Sequence, residues 1–147
     1  MEESKIKIMP RTEERETLVQ ALYSCLMNEL AHVDYDPKEV LVGAFGEATR
    51  FGITSPDQLS LFVKEVFLMA LKNRDEIVAL VSKYLKKWTF SRLNTYAQAL
   101  FLEAVAEGKY TNYSAKPIVI NSCVDLAKKY LSPSDSAYVN AVLDKVL

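Results

Sequence analysis

Leu18, Leu22, Leu26 and Leu30 recur every fourth residue, flanked by Val19 and Tyr23. That spacing commits the stretch to one buried stripe on a helix of about 18–20 residues. A half-buried strand would alternate apolar and polar residues, and no such run appears in the chain. The helical period returns along the whole sequence. Val40, Leu41, Ala44, Phe45 and Ala48 make a second stripe, and Leu59 through Leu71 a third with Phe62, Val63, Val66, Phe67 and Ala70. Ile77, Val78, Leu80, Val81, Tyr84, Leu85 and Trp88 follow, then Leu93, Tyr96, Leu100, Phe101, Ala104 and Val105. Ile120, Cys123, Val124, Ala127 and Tyr130 form the sixth face, and Tyr138, Val139, Val142, Leu143 and Val146 the seventh.

The punctuation between stripes agrees with seven helices. Thr12 can cap the first, with Glu13, Glu14 and Glu16 at the positive end of its dipole. Asp36-Pro37-Lys38-Glu39, Ser55-Pro56-Asp57-Gln58 and Ser132-Pro133-Ser134-Asp135 repeat one start pattern of cap, proline and acid or amide. Asn73-Arg74-Asp75 separates the third stripe from the fourth, which is expected to run through Trp88. Thr89 or Ser91 opens the fifth, and Pro117 the sixth. Gly52 and Gly108 are expected to terminate helices, leaving 109–115 as a polar loop. The expected architecture is an all-α, seven-helix bundle: a single helical domain over 11–147, behind a flexible N-terminal tail at 1–10. A chain of 147 residues, 50% hydrophobic and 25% charged, buries enough surface for one core without a staple.

Charge and composition exclude several function classes. Net charge is −1 and the pI is near 5.9. That argues against a globally basic nucleic-acid binder and leaves room only for a local basic patch. No apolar run approaches the ~20 residues that span a membrane. Met1-Glu2-Glu3-Ser4-Lys5 lacks the basic segment and apolar run of a signal peptide, so a cytoplasmic location is expected. Cys25, Cys123 and the single His32 have no zinc-ligand spacing, and Gly43, Gly46, Gly52 and Gly108 make no phosphate-binding loop. Both cysteines read as reduced, buried hydrophobes. No catalytic set, metal site or cofactor motif stands out, so the chain does not read as an enzyme.

Two features do carry chemistry. The longest stretch without an acid runs from Ile77 to Leu102 and holds Lys83, Lys86, Lys87 and Arg92, with Tyr84, Trp88 and Phe90 among them. Cations beside aromatic faces suit RNA phosphates and unpaired bases, and they equally suit a solvated helix face. Arg11 and Arg15 lie four apart, so one helix face carries both, either for adjacent phosphates or for pairing with nearby glutamates. Tyr138 stands early on the last helix, as a core residue or as a ring for stacking on a base.

Three segments together resemble the NusB family of transcription antitermination factors. They are Arg15-Glu16 through Val19-Gln20-Ala21-Leu22-Tyr23-Ser24; Arg92-Leu93 with Ala99-Leu100-Phe101, Ala104 and Glu107; and Ile118-Val119-Ile120-Asn121 through Asp125-Leu126-Ala127-Lys128-Lys129-Tyr130 into Tyr138-Val139-Asn140-Ala141-Val142-Leu143-Asp144-Lys145. The resemblance covers about 11–147 and implies a seven-helix, non-catalytic RNA-binding adaptor. Such a protein pairs with the ribosomal protein NusE, recognises boxA-type RNA of ribosomal RNA leaders, and acts on the transcription elongation complex. On matching positions it places Arg11 and Arg15 against phosphate and Gln20 and Tyr23 in the same motif. Tyr138 falls where the family often carries a phenylalanine that stacks on a base. Thr12 and Glu13 thin the family's arginine segment, Ala97 and Gln98 replace a charged pair, Leu102 replaces an arginine, and Ser122 replaces an acid. Those departures keep open an alternative: a NusB-like protein-interaction module or homodimer with little RNA affinity.

Overall fold

The computed structural model describes residues 9–48 and 52–147. Among them run seven α-helices: α1 (Arg11–Leu30), α2 (Pro37–Ala48), α3 (Leu61–Lys72), α4 (Arg74–Ser82), α5 (Thr95–Tyr110), α6 (Lys116–Tyr130) and α7 (Pro133–Val146). Short 3-10 turns at Pro56–Gln58 and Phe90–Arg92 complete the secondary structure, with no strand among the described residues. The expected tail falls mostly on residues 1–8, outside those described.

α5 is the axis of the bundle and packs against α1, α3, α4, α6 and α7. Its sequence explains that position. A helix that is apolar on all sides has to be surrounded, and every residue from Ala99 to Glu107 is buried. Ala99, Ala104 and Ala106 are small enough to let neighbouring backbones come close. The stripe on α1 buries Leu18, Leu22 and Leu26 against this axis, each worth roughly 1.5–3 kcal/mol of apolar burial. Leu30 runs past the core and is exposed.

Several boundaries differ from the sequence pattern, each for a local reason. α1 begins at Arg11 behind Pro10, so Thr12 lies inside the helix rather than capping it. Ser55 opens only the 3-10 turn, where the Gln58 side chain accepts the backbone N–H of Thr54 at 2.7 Å and of Ser55 at 3.1 Å. α3 starts later, on Ser60, whose Oγ accepts Val63 N–H at 3.2 Å and donates to Glu14 Oε2 at 2.5 Å. One serine thus caps α3 and ties it to α1.

α4 ends at Ser82, so Tyr84 to Trp88 form an irregular connection instead of a final helical turn. Tyr84 and Leu85 still pack on the core, whereas Trp88 is 54% exposed. Gly108 does not stop α5, which continues to Tyr110. Its missing side chain makes room for Leu147, whose Cδ2 would lie 2.9 Å from a Cβ there. The lone histidine has a backbone role. His32, at φ 55, turns the chain after α1, and the following Val33 N–H donates to Asn28 O at 2.9 Å.

Candidate nucleic-acid interface

The basic residues singled out in the sequence divide between two environments. At the start of α1, Arg11 and Arg15 share a face, as their spacing requires, and both guanidinium groups lie near the Phe62 ring. Their surroundings then diverge. Arg15 is 5% exposed. Its Nε donates to Glu107 Oε1 at 2.9 Å, its Nη2 to Glu107 Oε2 at 2.9 Å and to Ser114 Oγ at 3.0 Å, and its Nη1 to Ser122 Oγ at 3.2 Å. A buried, bidentate guanidinium with these partners is not presented to a phosphate in solution. The expected phosphate contact at Arg15 is therefore replaced by an internal ion pair that joins α1, α5 and α6.

Beside that pair lies a second acid, Glu103, fully enclosed on α5. Burial raises its carboxyl well above the usual range, and the charge and hydrogen bonding of Glu107 add to the effect, which favours the protonated acid. Burial also penalises a charged Glu107, but hydrogen bonds from Arg15, Glu103 and Ser114 outweigh that and hold it below the usual range. Neither glutamate reads as a buried acid from sequence: Glu103 only closes the acid-free stretch, and Glu107 enters only through the family resemblance. Cys123 faces the same pair, and burial followed by the two glutamates pushes its thiol far up. Burial raises the Cys25 thiol to about 11. Both thiols are therefore poor nucleophiles.

Arg11 stays partly open. Its guanidinium carbon sits 3.8 Å from the Phe62 ring centroid and 5.5 Å from that of Tyr113, and its Nε lies 3.6 Å from Glu14 Oε1. Gln20 is exposed on α1. Tyr23 is half-buried, with its ring 6.1 Å from that of Tyr96.

The second environment is a cleft of about 400 Å³ between the α4–α5 connection and the first turns of α7. Lys86, Lys87, Trp88 and Arg92 line one wall, and Ser134, Asp135 and Tyr138 the other. Asn94, Ala97 and Phe101 lie along its sides as well. Three cations and one carboxylate leave the lining net positive. The amino end of α7 adds the positive pole of a helix, with Ser132 Oγ accepting Asp135 N–H at 3.2 Å. The structure thus joins three of the four cations of the acid-free stretch to Tyr138, two features far apart in the chain. Lys83 is exposed but does not line the cleft, and neither do Arg11, Gln20 and Tyr23. Among the described residues, no group of His, Cys, Asp and Glu is arranged to hold a metal ion, and no helix is long and apolar enough to cross a membrane.

An all-helical bundle that sets exposed cations and aromatic rings around one open cleft has the chemistry that suits an anionic, ring-bearing partner. The NusB family model matches residues 12–147, and the chain belongs to that family. A transcription antitermination protein NusB of Finegoldia magna is 26% identical over 139 residues, covering 95% of this chain and 94% of its own. One from Macrococcus caseolyticus is 27% identical over 139 residues, covering 95% and 97%. Among solved structures, NusB of T. maritima superposes with a TM-score of 0.77 at 21% identity, covering 95% of this chain and 92% of that one. A chain in a structure of antitermination factors NusB and NusE with double-stranded RNA gives 0.75 at 24% identity, covering 92% and 94%.

Proposed function

We propose that this chain is a non-catalytic, cytoplasmic RNA-binding adaptor of transcription antitermination. It takes boxA-like RNA from ribosomal RNA leaders together with the ribosomal protein NusE and carries both to the elongation complex. The observation that carries this reading is the meeting of Lys86, Lys87, Arg92, Trp88 and Tyr138 around one cleft. Phosphate contacts there supply affinity, and the two aromatic rings receive unpaired bases. Arg11, partly open at the start of α1, offers a phosphate contact separate from the cleft, and Gln20 and Tyr23 belong to the same helix. NusE sharing the RNA raises the effective concentration of each contact without requiring a strong site on either protein. The test is a salt titration of binding to boxA-like and scrambled RNA, with and without NusE. Selective binding that weakens with salt and strengthens with NusE is expected. Equal, salt-insensitive binding to both RNAs contradicts the reading.

One observation favours a second reading, a protein-interaction module or homodimer. Leu61 and Leu68 are seven apart on α3 and are 63% and 55% exposed. A pair of large apolar side chains on one helix face suits a contact with another protein. Light scattering separates the two: a strictly monomeric protein with selective RNA affinity leaves only the adaptor.

A further inference from the structure

The segment Lys86-Lys87-Trp88 carries two of the cations of the cleft and its exposed ring, yet it lies outside any helix. Its neighbours on both sides are held. Tyr84 and Leu85 N–H donate to Val81 O and Ser82 O at 3.0 and 3.3 Å, and Arg92 N–H donates to Thr89 O at 3.0 Å. Between them, among the described residues, a single hydrogen bond fastens the segment to the body of the protein: Lys86 N–H donates to Tyr138 Oη at 3.3 Å. Tyr138 is well placed to hold it. The residue is half-buried against the core on the capped first turns of α7, so its hydroxyl has a firm base.

We propose that the Tyr138 hydroxyl is a latch that positions Lys86, Lys87 and Trp88 for RNA. The proposal rests on the RNA-binding reading above and assigns Tyr138 a role separate from stacking. Stacking uses the face of the ring and needs no hydroxyl, whereas the latch needs the hydroxyl alone. Released, the segment keeps its charges but no longer fixes them along a backbone path, so part of the binding free energy goes into ordering it.

Tyr138→Phe separates the two roles, because it keeps the ring and removes the latch. Trp88 is the only tryptophan, so its fluorescence reports on the segment without RNA. The experiment follows acrylamide quenching of Trp88 and hydrogen exchange at the Lys86 amide in the wild type, Tyr138→Phe and Lys86→Ala. It then follows the salt dependence of boxA-like RNA binding by the same proteins. In Tyr138→Phe the Lys86 amide is expected to exchange roughly 2- to 10-fold faster, as loss of one hydrogen bond implies. Trp88 becomes easier to quench, RNA affinity falls by a similar factor with a shallower salt slope, and the unfolding midpoint barely moves. Lys86→Ala lowers the salt slope by about 0.7 and leaves Trp88 quenching at the wild-type level. Unchanged Lys86 exchange in Tyr138→Phe overturns the latch. A freed segment with unchanged RNA affinity and slope overturns its positioning role. Wild-type protein that shows no salt-dependent RNA binding overturns the functional reading instead, and the Trp88 and Lys86 readouts tell that failure apart from failure of the latch.

Discussion

Arg15 and the Lys86–Arg92 cluster are both basic stretches of the chain, yet one has become structure and the other surface. Arg15 points into the bundle, where Glu107 waits on the axial helix and two serines each accept one further hydrogen. Lys86, Lys87 and Arg92 sit on a connection between helices, with one carboxylate, Asp135, among the lining residues opposite. The difference is set by the partner rather than by the cation. A guanidinium enclosed with an acid is bound permanently, whereas cations on an irregular, solvent-facing segment keep their charge for something outside the protein.

The largest effect that tests this contrast is expected at Arg15. Arg15→Ala leaves Glu107 enclosed without its main partner and should lower unfolding stability by about 3–5 kcal/mol. Urea denaturation measures it. A loss below about 1 kcal/mol, with RNA affinity reduced instead, would return Arg15 to the binding surface.

Glu103 gives the same region a pH signature. Its carboxyl is held above the usual range in the folded protein. From the unfolded value near ~4.3 up to its folded value, the folded protein keeps a proton that the unfolded chain has released. Stability therefore falls with rising pH across that window, by up to about 1.4 kcal/mol per pH unit. Glu107 acts oppositely: its depressed carboxyl stabilises above ~4.3, and that contribution fades as pH falls through its folded value. Glu103→Gln should flatten the stability curve on the neutral side and leave the acid limb in place. Urea midpoints between pH 4 and pH 8 decide it, and an unchanged slope would mean that Glu103 ionises in the folded state.

At the cleft the expectation reverses, with binding affected and stability spared. Lys86→Ala with Lys87→Ala should shift stability by no more than about 0.5 kcal/mol, as ordinary surface changes do. The salt slope of RNA binding should fall by about 1.4, at roughly 0.7 per phosphate contact on a single strand. A double variant that binds RNA with the wild-type slope would place the RNA elsewhere.

The limits of sequence reading fall along the same divide. Stripes such as Leu18, Leu22 and Leu26 were legible because periodicity reports burial directly. The end of α4 was not, because Tyr84 and Leu85 remain packed after the helix has stopped, so the apolar period outlives the hydrogen bonds. Gly108 reads as a terminator because sequence shows the absent side chain but not Leu147 lying against it. The cations of the cleft and Tyr138 were each visible, and their meeting was not, since Lys86 and Tyr138 are 52 residues apart. Arg15 failed for a related reason: its charge is plain in the sequence, but Glu107 lies 92 residues away and turns a candidate phosphate ligand into a buried strut.

Arg11 stands between the two cases, and the smallest prediction concerns it. Its guanidinium lies over Phe62 and near Tyr113, so it is held by ring faces and still partly open to solvent. Arg11→Lys keeps the charge but gives up the flat group that stacks on those rings. Stability should drop by about 0.5–1 kcal/mol, the size of a partly exposed cation–π contact. The salt slope of RNA binding should not change, because an ammonium neutralises a phosphate as a guanidinium does. Arg11→Ala should add a slope loss of about 0.7 if the open side of the guanidinium meets phosphate. If both variants lose stability alone, Arg11 belongs with Arg15 as a structural residue. The working basic surface then lies wholly at the cleft, away from the amino end of α1.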